Sequence, residues 1–372
     1  MSTYEILTGF DRNPITERDH RELPAPAKAS IIIVNYNGLS YLSNCLHSVQ
    51  ATCDDDVEII IVDNNSTDGS AEQLVREFPD IWLIRSDENI GFGSGNNIGT
   101  RQASGEYVVF LNPDTVVTPG WLDPLIRVFE EDPEVGIATS KILLLREPDQ
   151  INTCGNNVHI SGITICRGLR LDKKAMSAQA NVGAASGCAF VMRRDLFWEL
   201  GGYDDDFFLY MEDTDLSWRA QLAGFRCVYV PDSVVYHDYA LRFGPEKTYY
   251  QERNRYLMLL KNLHWRTLLL LMPVLLLAEL VTWGFVIVRE QKHLMHKPRA
   301  LWYVIRRWRS IMAKRQEVQE LRKGRDRDLL VHCTTSLEYD QTGPGPAAWF
   351  AGKFIDPLFS LWYHFIGVFA GW

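Results

Sequence analysis

Four short runs of apolar, mostly β-branched residues constrain the fold of this chain more than any other feature. The runs span residues 30–34, 57–62, 81–84 and 107–111. Runs of this length, bounded by turn residues, are typical of strands buried on both faces of a parallel sheet. Stretches with helical character separate the runs, at about 39–50, 70–77 and 95–103. This alternation predicts an α/β fold with a Rossmann-like, mostly parallel sheet and right-handed crossovers.

The pattern becomes less regular after residue 114. The remaining predicted elements are a helix over 119–131, a strand over 135–139, an irregular excursion with hairpin character over 141–182, a strand over 189–193, a helix over 213–223 ended by Gly224, and a strand over 225–230. We expect this excursion to shape the pocket that sets donor specificity.

Composition divides the 372-residue chain into three regions. Residues 1–28 are polar and contain prolines, which predicts a leader that is loosely ordered or strapped to the surface. Residues 29–262 form the α/β domain, and residues 263–372 form a hydrophobic, basic C-terminal region. The N-terminus lacks the apolar segment of a signal peptide, so we expect everything before about residue 265 to lie in the cytosol. The seven cysteines lack C-x-x-C spacing, which predicts free thiols in a reducing compartment.

Charge is distributed unevenly along the chain. The net charge is −9, yet residues 289–327 hold 13 basic and 4 acidic residues, a local charge of +9 that leaves −18 on the remainder. A protein that binds nucleic acid through its phosphates is expected to be basic, so no nucleic-acid partner is predicted. The charge pattern indicates an acidic body joined to a basic tail.

Polar clusters follow all four predicted strands. They occupy residues 35–38, 63–69, 89–97 and 112–114. Turn formation alone accounts for any one such cluster. Four in succession predict a ligand-binding crevice, because ligands of open α/β sheets bind at the carboxyl ends of the strands. A dinucleotide fingerprint is excluded in the third cluster, since Asn96 stands where G-x-G-x-x-G requires its last glycine.

These clusters lie within longer strings that resemble glycosyltransferase family 2, the inverting enzymes of GT-A fold, and most closely the rhamnosyltransferase-like branch. The resemblance covers roughly residues 29–260. The strings that carry it are IIIVNYNG (31–38), IIIVDNNSTDGS (59–70), NIGFGSGNNIG (89–99), VFLNPDTVV (109–117), GCAFVMRRDLFWELGGYDDDFFLYMEDTDLSWRAQLAGF (187–225) and VVYHDYA (234–240).

The resemblance implies a set of residues that bind the nucleotide-sugar. Asp63 matches the position that recognises the base, where a carboxylate accepts the imide N–H of uracil or thymine. Asn35 and Asn37 are implied to hold base and ribose, and Asn64 either does the same or forms a turn. The third cluster is implied to let the backbone approach the donor. Its residues in this role are Asn89, Gly91, Asn96 and Asn97.

The resemblance also implies a metal site. Residues 112–114, Asn-Pro-Asp, align with the family's D-x-D motif, with Asn112 in place of the first acid. Asp114 is the implied ligand of Mg²⁺ or Mn²⁺, a cation that bridges the donor diphosphate, and His237 is implied to be a further ligand or a diphosphate contact. Asn112 is assigned to donor binding.

The catalytic pair implied by the resemblance is Glu212-Asp213. Asp213 matches the general base that takes the proton of the acceptor hydroxyl, and Glu212 orients or assists it. Stabilisation of a helix N-terminus is the alternative role for these acids. Arg219 is assigned to the donor or acceptor phosphate, with an ion pair to Asp215 as the alternative. Arg253 and Asn254 are expected either to touch substrate or to pack a helix.

The apolar stretch 267–288 is long enough to cross a bilayer and contains Pro273 and Glu279. A span, a re-entrant or interfacial helix and a buried core helix are the three interpretations. Basic residues flank both ends, which a single span does not satisfy, and Pro273 and Glu279 predict a bend. We therefore favour membrane-associated helices at the cytoplasmic face of the cell membrane, held by anionic lipid and by the aromatic C-terminus.

The sequence thus predicts an inverting glycosyltransferase with a lipid-linked or polysaccharide acceptor and a UDP- or dTDP-sugar donor, dTDP-L-rhamnose first. The alternatives are another donor (UDP-galactofuranose, UDP-GlcNAc, GDP-mannose or UDP-glucose) and a non-catalytic nucleotide-sugar-binding scaffold. The presence of both Asp114 and Asp213 argues against the scaffold. The linkage and the oligomeric state are left open.

Overall fold

The computed structural model describes residues 27–54, 56–79, 81–239, 245–289, 291–342 and 345–369. The predicted leader, 1–28, lies outside the described residues except for its last two positions.

The first half of the chain alternates strands and helices, as its apolar runs predict. In chain order the elements are β1 (Ala29–Asn35), α1 (Leu42–Gln50), β2 (Val57–Asp63), α2 (Ser70–Glu77), β3 (Trp82–Arg85), α3 (Phe92–Gln102) and β4 (Tyr107–Leu111). β1 pairs in parallel with β2 and β4, and β2 pairs in parallel with β3. Alternate side chains of β1 enter two different apolar clusters, Ile31 and Ile33 on one face and Ile32 and Val34 on the other. Both faces of the strand are therefore covered, which explains its unbroken apolar sequence.

The second half of the α/β region completes the sheet. Its elements are β5 (Thr115–Val117), α4 (Asp123–Glu131), β6 (Val135–Leu144), β7 (Ile151–Thr153), β8 (Asn156–Val158), β9 (Thr164–Cys166), β10 (Ala180–Asn181), β11 (Ala189–Arg193), α5 (Arg194–Glu199), α6 (Glu212–Leu222) and β12 (Arg226–His237). The strand order is β10-β12-β6-β11-β4-β1-β2-β3. β11 runs antiparallel to both β4 and β6, while β12 is parallel to β6.

The sheet is therefore mixed rather than mostly parallel. The difference arises where β11 inserts antiparallel between β4 and β6 after the excursion, so regular crossovers stop at β4. The excursion contains the predicted hairpin, in which β8 pairs antiparallel with β9. β12 is longer than predicted because it continues past Pro231 through a register shift between Val230 and Val234.

The described chain after β12 is mainly helical. Its helices are α7 (Pro245–Asn262), α8 (Trp265–Leu270), α9 (Met272–Arg289), α10 (His296–Arg306), α11 (Trp308–Leu321), α12 (Asp326–Leu330), α13 (Pro346–Phe354) and α14 (Asp356–Phe369). A third apolar cluster contains Trp218 of α6, Leu257 of α7 and Val304 of α10. These helices consequently pack onto the α/β region through a shared core.

The long apolar stretch is not one helix. It is divided between α8 and α9, and the break falls just before Pro273, which lacks the N–H that would continue the α8 hydrogen-bond ladder. Among the described residues no single helix is long and apolar enough to cross a membrane. Met272–Val288 and Gln291–Arg306 meet that requirement of length and composition only as a pair bent by 119°.

Glu279, the one acid of the apolar stretch, lies in a buried ion cluster. Its carboxylate contacts Arg255 of α7 and lies 3.1 Å from Nζ of Lys297. Glu252 lies 2.9 Å from Arg255 and 3.0 Å from Lys297, so two acids and two bases neutralise one another. This cluster joins α7, α9 and the start of α10.

Candidate active site

The carboxyl ends of β1 and β2 bring Asn35 and Asp63 together. The strands are in register at these two residues, and Nδ2 of Asn35 donates a 2.8 Å hydrogen bond to Oδ1 of Asp63. The other carboxylate oxygen accepts the backbone N–H of Ser66 at 3.1 Å. Asn35 and Asp63 are both buried, which fixes the carboxylate at the sheet edge where the base was predicted to bind.

The remaining polar residues of the first two clusters shape the loops around Asp63. Asn37 adopts the left-handed conformation, with φ of 55°, and its Oδ1 accepts the backbone N–H of Thr67 at 2.9 Å. Asn64 is buried and donates to the carbonyl of Gly91 at 2.9 Å. Asn64 therefore links the second cluster to the third.

Gly91 is required by a close approach between two loops. Its φ is 89°, and a Cβ atom there would lie 2.4 Å from the carbonyl oxygen of Phe208. Asn89 caps the same turn, because its Oδ1 accepts the Gly91 N–H at 3.0 Å. This turn holds the loop that precedes α6 against the start of α3, since the Phe92 N–H donates to Phe208 O at 2.7 Å.

Three of the predicted donor-binding residues are engaged within the fold. Asn96 is buried and donates to the Phe92 carbonyl at 3.0 Å. Asn97 exchanges hydrogen bonds of 2.9 Å with the backbone N–H and carbonyl of Tyr203. Arg219 is 5% exposed and forms an ion pair with Asp215 at 2.9 Å. This ion pair is the alternative to phosphate binding that the i,i+4 spacing indicated. These contacts stabilise the loop after α5 and helix α6.

The Asn-Pro-Asp segment meets His237 because β5 pairs with the end of β12. Thr115 stands opposite His237 in that pairing, which brings Asp114 beside the imidazole. Nε2 of His237 lies 3.2 Å from Oδ1 of Asp114, and its Nδ1 lies 2.9 Å from Oδ1 of Asn152. The two implied metal ligands are thus adjacent, although 123 positions separate them in the sequence.

Burial and neighbouring groups act in opposite directions on the proton of His237. Burial alone disfavours its charged form, but the Cys188 sulfur and the Asp114 carboxylate outweigh burial and raise the pKa of His237 to about 10. A metal bound at this position would have to displace that proton. Among the described residues no three His, Cys, Asp or Glu side chains converge as a metal site.

The two acids of the predicted catalytic pair differ in their surroundings. Asp213 is fixed by hydrogen bonds from the backbone N–H groups of Gly187 at 2.7 Å and Thr214 at 2.6 Å. Glu212 is 6% exposed, and its Oε2 has no hydrogen-bond partner among the described residues. Burial, followed by the charge of Asp213, raises the pKa of Glu212 to about 8. Burial also raises the pKa of Asp213, against the lowering effect of its hydrogen bonds.

A strained loop leads into this pair. Phe208, Tyr210 and Met211 have positive φ values of 61°, 68° and 69°, which non-glycine residues rarely adopt. Asn254 of α7 donates to the carbonyls of this loop. Its Nδ2 lies 2.9 Å from Phe207 O, 2.9 Å from Leu209 O and 2.7 Å from Tyr210 O.

The described contacts of the 253–254 pair are those of the packing alternative. Asn254 is fully buried, and Arg253 donates to Phe207 O at 2.7 Å. The two residues clamp the backbone that positions the catalytic acids. The sequence pattern does not identify the groups that Arg253 and Asn254 contact, because these groups are backbone carbonyls, which every residue type has.

A cavity of about 260 Å³ collects the chemistry-bearing side chains. The predicted residues in its wall are Asn112, Glu212, Asp213 and His237. Asn156 and Lys247, which the sequence reasoning missed, also line it. Asn156 belongs to the irregular excursion and Lys247 to the first turn of α7, so no motif or strand-end rule marks either residue.

This fold and cavity define an α/β enzyme with paired acids at the carboxyl edge of its sheet. Residues 30–201 match the family model described as glycosyl transferase family 2. This segment is a domain of that family, and the chain is a glycosyltransferase.

Two curated relatives show how broad the family is. The N-acetylglucosaminyl-diphospho-decaprenol L-rhamnosyltransferase of Mycobacterium tuberculosis is 29% identical over 243 residues, which cover 58% of this chain and 77% of the relative. The poly-beta-1,6-N-acetyl-D-glucosamine synthase of Staphylococcus aureus is 26% identical over 231 residues, which cover 62% of this chain and 53% of the relative.

Solved structures confirm the GT-A-like α/β architecture. The crystal structure of GalNAc-T7 with UDP, GalNAc and Mn²⁺ has a TM-score of 0.54 at 20% identity and covers 63% of this chain and 48% of that one. S. aureus TarS has a TM-score of 0.52 at 17% identity and covers 90% of this chain and 55% of that one. At these identities the likeness concerns the fold.

Proposed function

We propose that this glycosyltransferase transfers a sugar, with inversion, from a UDP- or dTDP-sugar to a lipid-linked or polysaccharide acceptor. The observation that carries the proposal is the Asp213 carboxylate, fixed by two backbone N–H groups in the wall of the same cavity as Asn112 and His237. A base at a fixed position is what an inverting transfer requires, because the acceptor oxygen must attack from one defined direction.

In the proposed reaction Asp213 accepts the proton of the acceptor hydroxyl. The hydroxyl oxygen forms a bond to the anomeric carbon while the bond from that carbon to the diphosphate oxygen breaks on the opposite face. The electron pair of the broken bond leaves with the nucleoside diphosphate. Glu212 retains its own proton at neutral pH, because burial and the charge of Asp213 raise its pKa to about 8, above the pH of the medium. The pair therefore presents one negative charge, on the proposed base.

The residues present fit a divalent cation, Mg²⁺ or Mn²⁺. Asp114 would supply a carboxylate oxygen and His237 an imidazole nitrogen, which lie 3.2 Å apart, and His237 lines the cavity. The side chain of Asp114 is 30% exposed, so its oxygens are accessible to a ligand. When bound, the cation would neutralise the charge that develops on the leaving diphosphate.

Two separate observations support the proposed donor. The fixed Asp63 carboxylate suits the imide N–H of uracil or thymine, and the M. tuberculosis relative is named as an L-rhamnosyltransferase. dTDP-L-rhamnose is accordingly the first candidate. The S. aureus relative, named as a synthase of an N-acetylglucosamine polymer, keeps UDP-GlcNAc as the second candidate.

We further propose that the enzyme works at the cytoplasmic face of the cell membrane. Large apolar side chains on three C-terminal helices are exposed, among them Leu280 at 70%, Trp302 at 63% and Leu361 at 69%. Exposed apolar surface of this extent is typical of membrane or protein contact sites. Exposed basic residues lie on the same region, including Arg306 and Arg309, and suit anionic lipid headgroups.

A screen of nucleotide-sugars with the purified full-length protein tests the activity. We expect release of dTDP or UDP from one donor, with Mg²⁺ or Mn²⁺ present, when a GlcNAc-diphospho-prenol acceptor is supplied. Asp213→Asn is expected to reduce turnover at least ~1,000-fold, because the base is lost while donor contacts remain. Donor affinity, measured by calorimetry, should stay within about threefold of wild type. Comparable turnover in the mutant would remove Asp213 from the base role, and an inactive wild type across the whole donor panel would favour the scaffold.

A further inference from the structure

A second cavity lies beside the catalytic one and is not used by the proposed transfer chemistry. Its volume is about 270 Å³. Most of its wall is apolar, and the side chains that set this character are Ile163, Ile165, Met211, Val281, Phe285 and Val286. We call it the chain cavity. It lies between the excursion hairpin, helix α7 and helix α9, so the α/β region and the C-terminal helices build it jointly.

The chain cavity shares part of its wall with the catalytic cavity. Both are lined by Ile165 of β9, by Met211 before α6 and by Lys247 of α7. Met211 directly precedes the Glu212-Asp213 pair in the chain. A molecule that extends past these shared residues would therefore reach from the apolar cavity to the proposed base.

The side chains along this path change from charged and polar to apolar. Lys247 stands at the junction, with Nζ 5.5 Å from the ring centroid of Tyr210. Beyond it the catalytic cavity presents Asp213 and His237, and on the other side the walls become apolar. Apart from Lys247, the charged residues that line the chain cavity are Glu252 and Arg255, which neutralise each other at 2.9 Å. The positive charge of Lys247 thus marks the boundary between the two environments.

Helix α9 separates the chain cavity from the exposed apolar face. Val281 and Val286 line the cavity, and Val286 is only 3% exposed. Leu276 and Leu280 lie elsewhere on the same helix and are 59% and 70% exposed. One helix accordingly contributes both an internal apolar wall and an outward apolar surface.

We propose that the chain cavity binds the apolar chain of a lipid diphosphate acceptor. The diphosphate lies at Lys247, the sugar hydroxyl faces Asp213 and the first part of the chain occupies the space between Ile165 and Val286. This assignment rests on the proposed function, which it deepens by naming an isoprenoid-type lipid rather than a soluble polysaccharide as acceptor. The volume is below the ~300–1,000 Å³ of sites for drug-sized ligands, so only the part of the chain next to the diphosphate fits.

Photo-crosslinking of the full-length protein with a photoreactive farnesyl diphosphate tests the assignment without any need for turnover. We expect saturable labelling within residues 163–166 or 281–286, suppressed by excess farnesyl diphosphate. Val286→Trp, which fills the cavity, should reduce labelling at least tenfold. Leu276→Trp, the matched change on the exposed part of α9, should leave labelling within about twofold. Labelling outside these segments, or equal labelling of both variants, overturns the assignment.

A second variant and a transfer assay separate the possible failures. Ile165→Trp fills the cavity from the opposite wall, so it must reproduce the loss if Val286→Trp proves unstable by thermal melting. If the wild-type protein transfers sugar to GlcNAc-diphospho-decaprenol but does not crosslink as expected, the proposed function stands. The same result overturns the assignment of the chain cavity. Specific crosslinking with no transfer to that acceptor from any donor supports the cavity assignment and contradicts the proposed reaction.

Discussion

At the scale of single residues, the catalytic pair shows how two adjacent carboxyl groups acquire different protonation states. Asp213 receives two backbone hydrogen bonds that favour its anionic form, whereas Oε2 of Glu212 has no partner among the described residues. One proton shared by such a pair therefore resides on Glu212 at neutral pH. Glu212 then acts as a neutral neighbour of the base and not as a second base.

Glu212→Gln tests this protonation, because glutamine mimics the neutral acid. We expect turnover at pH 7 within about threefold of wild type. In the wild type, ionisation of Glu212 above pH 8 adds a second negative charge beside the donor diphosphate, so donor KM should rise there. In Glu212→Gln the donor KM should stay flat between pH 7 and pH 9.

Stability gives an independent measure of the same proton. The folded-state pKa of Glu212 is raised from 4.5 to about 8, so the folded protein retains a proton that the unfolded chain releases in this interval. The free energy of unfolding is therefore expected to fall as pH rises from 4.5 to 8, and Glu212→Gln should lack this contribution. An inactive Glu212→Gln at pH 7, or a pH dependence identical to wild type, would contradict the assignment.

At the scale of elements, helix α7 supports the loop that carries the active site. Three carbonyl oxygens of residues 207–210 lie within hydrogen-bond distance of Nδ2 of one buried amide, that of Asn254. The loop up to Met211 has positive φ values at three non-glycine positions. Backbone in such conformations persists only when surrounding contacts hold it. Asn254 is thus a positioning residue that acts through the loop on Asp213.

Asn254→Ala is expected to lower kcat about tenfold with donor KM within about twofold, because donor contacts lie on other elements. Asn262→Ala is the matched control. Asn262 is also fully buried in α7, but its amide donates to Asp215 at 3.0 Å instead of to the loop. Thermal melting should show destabilisation in both variants, and steady-state kinetics should show the loss of kcat only in Asn254→Ala. A similar kcat for the two variants would assign Asn254 a purely structural role.

At the scale of the whole molecule, the acidic body and the basic tail are parts of one electrostatic unit. Lys314 of α11 contacts Asp204 and lies 2.7 Å from Asp206, while Lys261 contacts Asp204 and lies 3.1 Å from Asp215. Burial alone would raise the pKa of Asp204, but the two lysines hold it far below its usual value. Part of the +9 segment therefore stabilises the region before the catalytic helix, and the exposed basic residues remain for lipid.

Substitution of exposed apolar residues tests the proposed membrane contact without disturbing this network. The triple change Leu280→Glu, Trp302→Glu and Leu361→Glu should reduce co-sedimentation with phosphatidylglycerol vesicles about tenfold, because each glutamate opposes apolar burial and meets anionic lipid. Leu171→Glu, at a 46% exposed leucine of the excursion, is the control and should bind as wild type does. Equal binding of the triple variant would exclude this surface as the membrane contact.

The sequence by itself determined the first four strands, the helices between them and the polar clusters at the strand ends. These features depend on local periodicity and on the rule that parallel strands end at one edge, so they are readable without coordinates. The resemblance pointed to Asp114, His237 and the acidic pair; in the fold His237 and the acidic pair line one cavity, and Asp114 lies beside His237. The predicted division at residue 262 and the individual donor contacts stay predictions.

Only the tertiary structure decided which polar side chains are engaged inside the fold. Asn97 and Arg219 hold backbone segments, Asn254 clamps the catalytic loop, and Lys314 pairs with acids 108 and 110 positions away. The antiparallel insertion of β11 and the cavity beside α9 were equally invisible in the sequence. The physical reason is that a hydrogen bond or ion pair requires only that two groups meet in space, and that meeting depends on how distant elements pack, not on the residues adjacent in the chain.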